Sequence, residues 1–219
     1  MGALGAGAAG SAPRGPLGDG DGLRRHRAMK LNEIFYSLQG EGLWTGTPAV
    51  FVRTAGCNLA CRFCDTDYSY KFDASVDEVI ARIEHAGQGC RFVVLTGGEP
   101  TLQRESEVLI RRMLELGYEV HIESNGTTFI ELPPAVWLTV SPKERLDARM
   151  AARANEVKLI VDRRVPEEWL SSPWSPDAVI WLQPEGNNAS NIALAVEAAL
   201  ANPTRYRLSI QTHKVIGVR

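Results

Sequence analysis

Cys57, Cys61 and Cys64 fall in the stretch CNLACRFCDT with the spacing C-x3-C-x2-C, and they are three of the chain's four cysteines. Thiolates are soft ligands, suited to zinc or to iron–sulfur clusters. A structural zinc ion takes four protein ligands, usually as two well-separated C-x2-C pairs. Here one such pair and a third cysteine stand together without a partner pair, and Cys90 sits downstream on the approach to an apolar run. The same spacing would also place three small side chains on one face of a helix. Gly56 and Asn58 before the second cysteine, and Asp65-Thr66-Asp67 after the last, favour a loop instead. A [4Fe-4S] cubane held by three thiolates keeps one iron free of protein ligands and open to a cofactor or substrate.

Other residue types that could do chemistry flank this loop. Thr96-Gly97-Gly98-Glu99-Pro100 follows an apolar run, and its glycines allow close approach of the backbone. Arg53 offers a planar, permanently charged fork that suits a carboxylate. Thr66 carries one hydroxyl of the kind that serves Mg²⁺, an ion that otherwise keeps waters and substrate oxygens.

The elements that must position these residues are short apolar runs with turns or helical patterns between them. Strands are expected at Pro48–Thr54, Arg91–Thr96, Tyr118–Ser124, Ala135–Val140, Glu156–Val161, Ala178–Leu182 and Arg207–Gln211. Their near-continuous β-branched and aromatic content suits a parallel sheet buried on both faces. Ser75 and Glu78 form a capping box for a helix carrying Val76, Val79, Ile80 and Ile83, with Gly87 as its expected stop. Further helices are expected from about Glu105 to Leu116 and from about Ala189 to Ala201. Asn125–Pro134 is barely long enough for a crossover helix, and the three prolines of Arg163–Asp177 leave room for a turn or two at most. The expected fold is therefore α/β, with a curved parallel sheet and several crossover helices reduced or lost.

Composition narrows the function classes. With 219 residues, 44% of them hydrophobic and 23% charged, the chain is long enough for one domain with a proper core. A formal charge of −2 leaves no electrostatic footprint for nucleic acid, and no apolar run is long enough for a membrane-spanning helix. Few cysteines, closely grouped, suit a reducing cytoplasmic setting more than a disulfide framework. Residues 1–28, dominated by Gly, Ala, Pro and Arg, are expected to be a disordered extension, with Met29 opening the folded part.

The C-x3-C-x2-C spacing, with aromatic Phe63 before the last cysteine, resembles the signature of the radical S-adenosylmethionine superfamily, and TGGEP resembles its GGEP motif. NEIFYSLQGEG, CDT, SPK and QTHK together resemble the 7-carboxy-7-deazaguanine synthase family, over essentially the whole chain from Met29 to Val218. The resemblance implies a partial TIM-like barrel of about six parallel strands over residues 29–219. It implies conversion of 6-carboxy-5,6,7,8-tetrahydropterin to 7-carboxy-7-deazaguanine with loss of ammonia, within 7-deazapurine and queuosine biosynthesis. Carried over residue by residue, Cys57, Cys61 and Cys64 would hold a [4Fe-4S] cluster. Phe63, Cys64, Asp65, Gly98, Glu99, Ser124, Ser141, Pro142, Lys143, Gln183, Pro184, Glu185 and Gly186 would contact S-adenosylmethionine, with Glu99 receiving its amino group. Leu38, Gln39, Gly40, Arg53 and Thr96 would hold the pterin, and Thr66 would ligate Mg²⁺. Gln211 and His213 are further candidates for substrate contact, His213 otherwise being structural on the last strand. No catalytic side chain is implied beyond the cluster and cofactor. An electron donor such as flavodoxin and a homodimer are implied as partners.

The family's chain commonly ends at proline with its carboxylate near the substrate; here Gly217-Val218-Arg219 stands instead, and Arg219 is the expected contact. Two other readings differ in what they need. A glycyl-radical-enzyme activase would require a docking face for a partner's loop and no pterin pocket. A non-catalytic zinc-binding module would ignore S-adenosylmethionine.

Overall fold

Successive strand residues point to opposite faces of a sheet, and in this chain the two faces carry different chemistry. The computed structural model describes residues 1–2 and 28–219; the expected extension at 1–28 otherwise lies outside the described residues. Nine strands form one sheet: β1 (Met29–Leu38), β2 (Pro48–Thr54), β3 (Phe72–Ala74), β4 (Phe92–Gly97), β5 (Glu119–Ser124), β6 (Trp137–Val140), β7 (Glu156–Val161), β8 (Val179–Pro184) and β9 (Tyr206–Leu208). Their order is β3-β1-β2-β4-β5-β6-β7-β8-β9. From β2 to β9 every pairing is parallel, while β1 runs antiparallel to both β2 and β3.

The parallel part therefore holds seven strands rather than about six. β1 and β3 were not among the expected strands. The sheet is bent into an open barrel. Gly42, in the loop after β1, donates its N–H to the Ser209 hydroxyl beyond β9 at 3.0 Å, and Thr212 N–H reaches Gly40 O at 2.9 Å.

On the convex face, Val50 and Val52 of β2, Val93 and Leu95 of β4, Val120 and Ile122 of β5, and Val157 and Leu159 of β7 form one buried core. The helices α1 (Val76–Gly87), α2 (Glu105–Glu115) and α4 (Ala189–Ala201) cover it with Val79, Ile83, Leu109, Met113 and Ala195. Each fully buried aliphatic side chain of this kind contributes about 1.5–3 kcal/mol. The capping box at α1 is present in both directions, Glu78 N–H to Ser75 Oγ and Ser75 N–H to Glu78 Oε2. Gly87 does not stop that helix: it is the last helical residue, where a Cβ would meet Val50 Cγ2 at 2.7 Å, and Gln88 takes the left-handed cap at φ 49°.

The crossovers are reduced as expected. No helix lies between β5 and β6, and β7 to β8 carries only one 3-10 turn, Glu167–Trp169. Two short helices escaped the sequence reading: α3 (Ala148–Arg153) and α5 (Thr212–Ile216). The last strand is also shorter than expected. The Asn187 side chain pairs with Gln211 through both N–H and O at 3.0 Å, taking the place a strand neighbour would have, and the chain turns away. His213 consequently lies in α5 and not on a strand.

Candidate active site

The concave face divides into two levels. Low in the barrel, Trp44, Phe92, His121 and Trp137 pack together, with centroids 4.2–5.9 Å apart: His121 stacks on Trp137, and the other contacts are edge-to-face or tilted; Phe35 stacks on Phe51 at 5.1 Å. Burial holds the His121 imidazole down at about 4, with Glu119 pulling the other way. High in the barrel, at the strand C-termini, the same inward positions become polar: Arg53, Thr96, Glu123, Lys158 and Gln183. They line a cavity of about 480 Å³. Strand C-termini are where parallel α/β folds place ligands.

The floor of the cavity is a closed polar network. Lys158, its side chain 10% exposed, pairs with Glu41 and lies 3.6 Å from Glu123. Glu123 also accepts from Gln39 Nε2 at 3.0 Å and Thr96 Oγ1 at 3.3 Å, and Glu41 from Gln211 Nε2 at 2.9 Å. Burial alone would push Lys158 down, but Glu123, Glu41 and Glu156 raise it, so its ammonium stays charged. Burial would raise the Glu41 carboxyl, but the Lys158 ammonium outweighs it and holds it well below the usual range. One level lower, Glu156 accepts from Leu43 N–H (3.1 Å), Thr139 Oγ1 (2.8 Å) and Trp181 Nε1 (2.9 Å). A Cβ on Gly42 would stand 2.4 Å from Glu156, so only glycine lets the LQGEG loop seat here.

The cysteine loop forms one wall. Residues 55–71 contain no helix or strand, yet the base of the loop is anchored. Gly98 packs so closely that a Cβ would fall 1.9 Å from Gly56 O, and Glu99 N–H donates to that carbonyl at 2.9 Å. The close approach that the two glycines permit is thus within the chain itself, Gly97 against Thr54 at the end of β2 and Gly98 against the loop. Asn125 Nδ2 reaches Asn58 Oδ1 at 3.0 Å, Asn58 Nδ2 reaches Thr127 Oγ1 at 2.8 Å, and Arg62 pairs with Asp162. All three cysteine side chains line the cavity, and none forms a disulfide. Burial pushes the Cys61 thiol up, Lys143 pulls it down, and Cys64 and Cys57 add to the rise. Leu59 N–H points at Cys57 Sγ from 3.4 Å, a donor of the type that tunes cluster thiolates. Among the described residues, no three His, Cys, Asp or Glu side chains converge closely enough to enclose a metal ion. The donor set nevertheless fits a three-thiolate cluster: soft ligands on one short loop, facing one cavity.

Of the expected site residues, Leu38, Gln39, Gly40, Arg53, Phe63, Asp65, Thr66, Thr96, Gly98, Ser124, Ser141, Lys143, Gln183, Pro184, Glu185, Gly186, Gln211, His213 and Arg219 line the same cavity. Pro142 is buried and off the lining. Glu99 is placed otherwise than expected. It is 1% exposed and stands behind the wall. Its carboxylate accepts from Asn125 N–H (2.6 Å), Thr101 Oγ1 (2.7 Å), Ser124 Oγ (2.8 Å) and Thr101 N–H (3.1 Å), tying the ends of β4 and β5 together. Burial raises this carboxyl, opposed by those donors.

The cations of the cavity have partners of their own. Arg53 Nε donates to Glu33 Oε1 at 2.9 Å, Arg219 takes the other Glu33 oxygen, and both guanidiniums lie over the Phe35 ring at 5.6 and 4.7 Å. Lys143 donates to Ser141 Oγ at 2.5 Å and stands 5.7 Å above the Phe63 ring; burial and then Lys158 push it down to about 8. Thr66 Oγ1 lies 3.5 Å from Asp65 Oδ1, while Asp65 Oδ2 accepts from Gln211 Nε2 at 3.0 Å and pairs with Lys214. Burial would raise the Asp65 carboxyl, but these donors hold it at about 2. A hydroxyl beside a carboxylate is a hard oxygen pair of the kind Mg²⁺ accepts. Glu41, Glu123, Lys158, Glu156, Asn125 and Lys214 were missed by sequence reading. The available signal was a charged residue at every second position of an otherwise apolar strand, as in YEVHIES and EVKLIV.

Comparison with known proteins agrees with this geometry. Residues 51–147 match the radical SAM superfamily. The chain is 43% identical to the 7-carboxy-7-deazaguanine synthase of Bacteroides thetaiotaomicron over 191 residues, 87% of this chain and 98% of the relative. It is 36% identical to that of Rhodospirillum rubrum over 94% of this chain and 97% of the relative. Among solved structures, QueE from Escherichia coli superposes with a TM-score of 0.72 at 31% identity, covering 85% of this chain and 95% of that one.

Proposed function

The chain belongs to the 7-carboxy-7-deazaguanine synthase family of radical S-adenosylmethionine enzymes, and on that premise we propose that its cavity binds 6-carboxy-5,6,7,8-tetrahydropterin and directs its ring contraction to 7-carboxy-7-deazaguanine with release of ammonia. Its cofactors are a [4Fe-4S] cluster and S-adenosylmethionine, and the family's reaction is that of a carbon–nitrogen lyase. When bound, the two supply a reductively generated carbon radical able to take a hydrogen atom from substrate.

The chain's own share is positioning. Cys57, Cys61 and Cys64 hold the cluster on the loop wall. Gly98, Ser124, Ser141, Lys143 and Gln183–Gly186 line the path from that wall along later strand ends, where S-adenosylmethionine lies. Glu99 acts from behind the wall, by fixing Ser124 and Asn125. Leu38, Gln39, Gly40 and Thr96 meet the pterin against the polar floor, with Gln211 and His213 above it. The Arg53 guanidinium and Arg219 take the substrate carboxylate, and Thr66 ligates Mg²⁺. A closed floor of matched charges excludes loose water from the reacting ring.

The observation that carries this reading is one cavity holding both the C-x3-C-x2-C loop and a floor whose donors and acceptors alternate, as a pterin edge requires. Val215, Ile216 and Val218, all at least 40% exposed, support self-association as a homodimer. Unpaired thiols support a reducing compartment such as the cytoplasm, with a low-potential electron donor of the flavodoxin kind. The test is anaerobic reconstitution with iron and sulfide, then assay with S-adenosylmethionine, Mg²⁺, reductant and the carboxylated pterin. Formation of 7-carboxy-7-deazaguanine is expected. If 5′-deoxyadenosine appears without it, the substrate assignment fails.

A further inference from the structure

Lys214 is absorbed by neither the cluster nor the pterin reading. It projects from α5 into the cavity and pairs with Asp65, while its ammonium also donates to Gln211 Oε1 at 2.8 Å. Gln211 Nε2 in turn bridges Asp65 Oδ2 at 3.0 Å and Glu41 Oε1 at 2.9 Å. The carboxylate beside Thr66 is therefore already neutralised by a cation from the chain itself. Among the described residues Asp65 is the one acid paired with Lys214, and the pair is part-exposed (35% and 48%), so solvent weakens it and the ammonium can leave for a competing cation.

A divalent ion at Thr66 meets this arrangement directly. It would gain from the Asp65 charge, directly or through a bound water, and it would be repelled by an ammonium already spent on that charge. Resting on the reading of Thr66 as a Mg²⁺ ligand, we infer that Lys214 is a resident cation that competes with the divalent ion for Asp65, and so sets the affinity of the cavity for that ion. Because Lys214 lies in the five-residue α5, whose first residue is hydrogen-bonded to Gly40, displacement of its ammonium loosens that helix against the LQGEG loop.

The experiment uses cluster-loaded, substrate-saturated protein with Mn²⁺ as an EPR-visible stand-in for Mg²⁺. Free and bound Mn²⁺ are counted for the wild type, Lys214→Met, Lys214→Arg and Thr66→Ala. Lys214→Met is expected to tighten binding about tenfold, a difference of roughly 1.4 kcal/mol, and Lys214→Arg to leave it nearly unchanged. Unchanged or weaker binding in Lys214→Met would overturn the competition. If Thr66→Ala binds as the wild type does while Lys214→Met still tightens, the competition stands and the Thr66 ligand reading falls. A second measurement needs no variant: in the wild type, Mg²⁺ is expected to speed amide exchange in Thr212–Ile216, and slower or unchanged exchange would overturn the inference.

Discussion

The floor and the loop wall of one cavity are built in opposite ways. On the floor, Lys158, Glu41, Glu123 and Gln39 sit on or beside regular strands and satisfy one another before any ligand arrives. On the wall, three thiols ride a segment without regular structure that is anchored at its base, through Asn58, Asn125 and Arg62, and through Asp65 to Gln211 and Lys214. Folding completes the first region. The second receives its geometry from what it binds, in the way that metal binding completes a site that the chain only outlines. On the proposed reading, substrate recognition is part of the protein's stability, whereas cofactor assembly is nearly separate from it.

This contrast can be broken from either side. Cys61→Ala should abolish iron incorporation and cofactor cleavage, while the cluster-free chain keeps its unfolding free energy within about 0.5 kcal/mol. Iron analysis and denaturant titration read the two halves, and a marked loss of stability would show that the wall is part of the folded core. Lys158→Met reverses the pattern. It leaves the part-buried Glu41 and Glu123 without their cation, and should cost about 2–4 kcal/mol in denaturant unfolding of the cluster-free chain.

pH sharpens the comparison on the floor side. His121 is held at about 4 in the folded chain against 6.5 ordinarily, so the folded state binds fewer protons than the unfolded one between those values. Its contribution is full above pH 6.5 and is lost as pH falls toward 4, with a slope of at most about 1.4 kcal/mol per unit. The depressed carboxyls Asp65 and Glu41 lose theirs only below the ordinary carboxylate range, and Glu99, raised by burial, acts with the opposite sign, so in this range the histidine is read from the difference between wild type and variant. His121→Asn should flatten the stability–pH curve there. Smallest of all, Ser75→Ala removes the α1 cap on the far side of the sheet. It should cost about 1 kcal/mol with turnover unchanged.

The sequence made the wall easier to read than the floor. Cysteines at fixed spacing and paired glycines have few other uses, so CNLACRFC and TGGEP announced the chemistry together with its place at strand ends. The apolar runs revealed most strands because β-branched residues crowd the convex face. Glu123 and Lys158 passed unnoticed because polar residues alternating with apolar ones along a strand read as a solvated face. Only the fold, which bends β7 toward β5 across β6, brings Lys158 within 3.6 Å of Glu123. α3 and α5, at six and five residues, are too short for a helical period to emerge. Glu99 was assigned to the cofactor on its motif, but its neighbours in space, Ser124 and Asn125, come from a different strand end and have already engaged it.

The aromatic nest low in the barrel has an optical consequence. Trp44 lies 5.7 Å from Trp137 at 88°, and both indole N–H groups are buried without acceptors. His121 lies against both rings. Two indoles so close share their excitation, and an imidazolium beside them quenches emission. The near-ultraviolet spectrum of this chain thus contains its own gauge of the LQGEG loop, since Trp44 ends that loop and cannot move without uncoupling the pair.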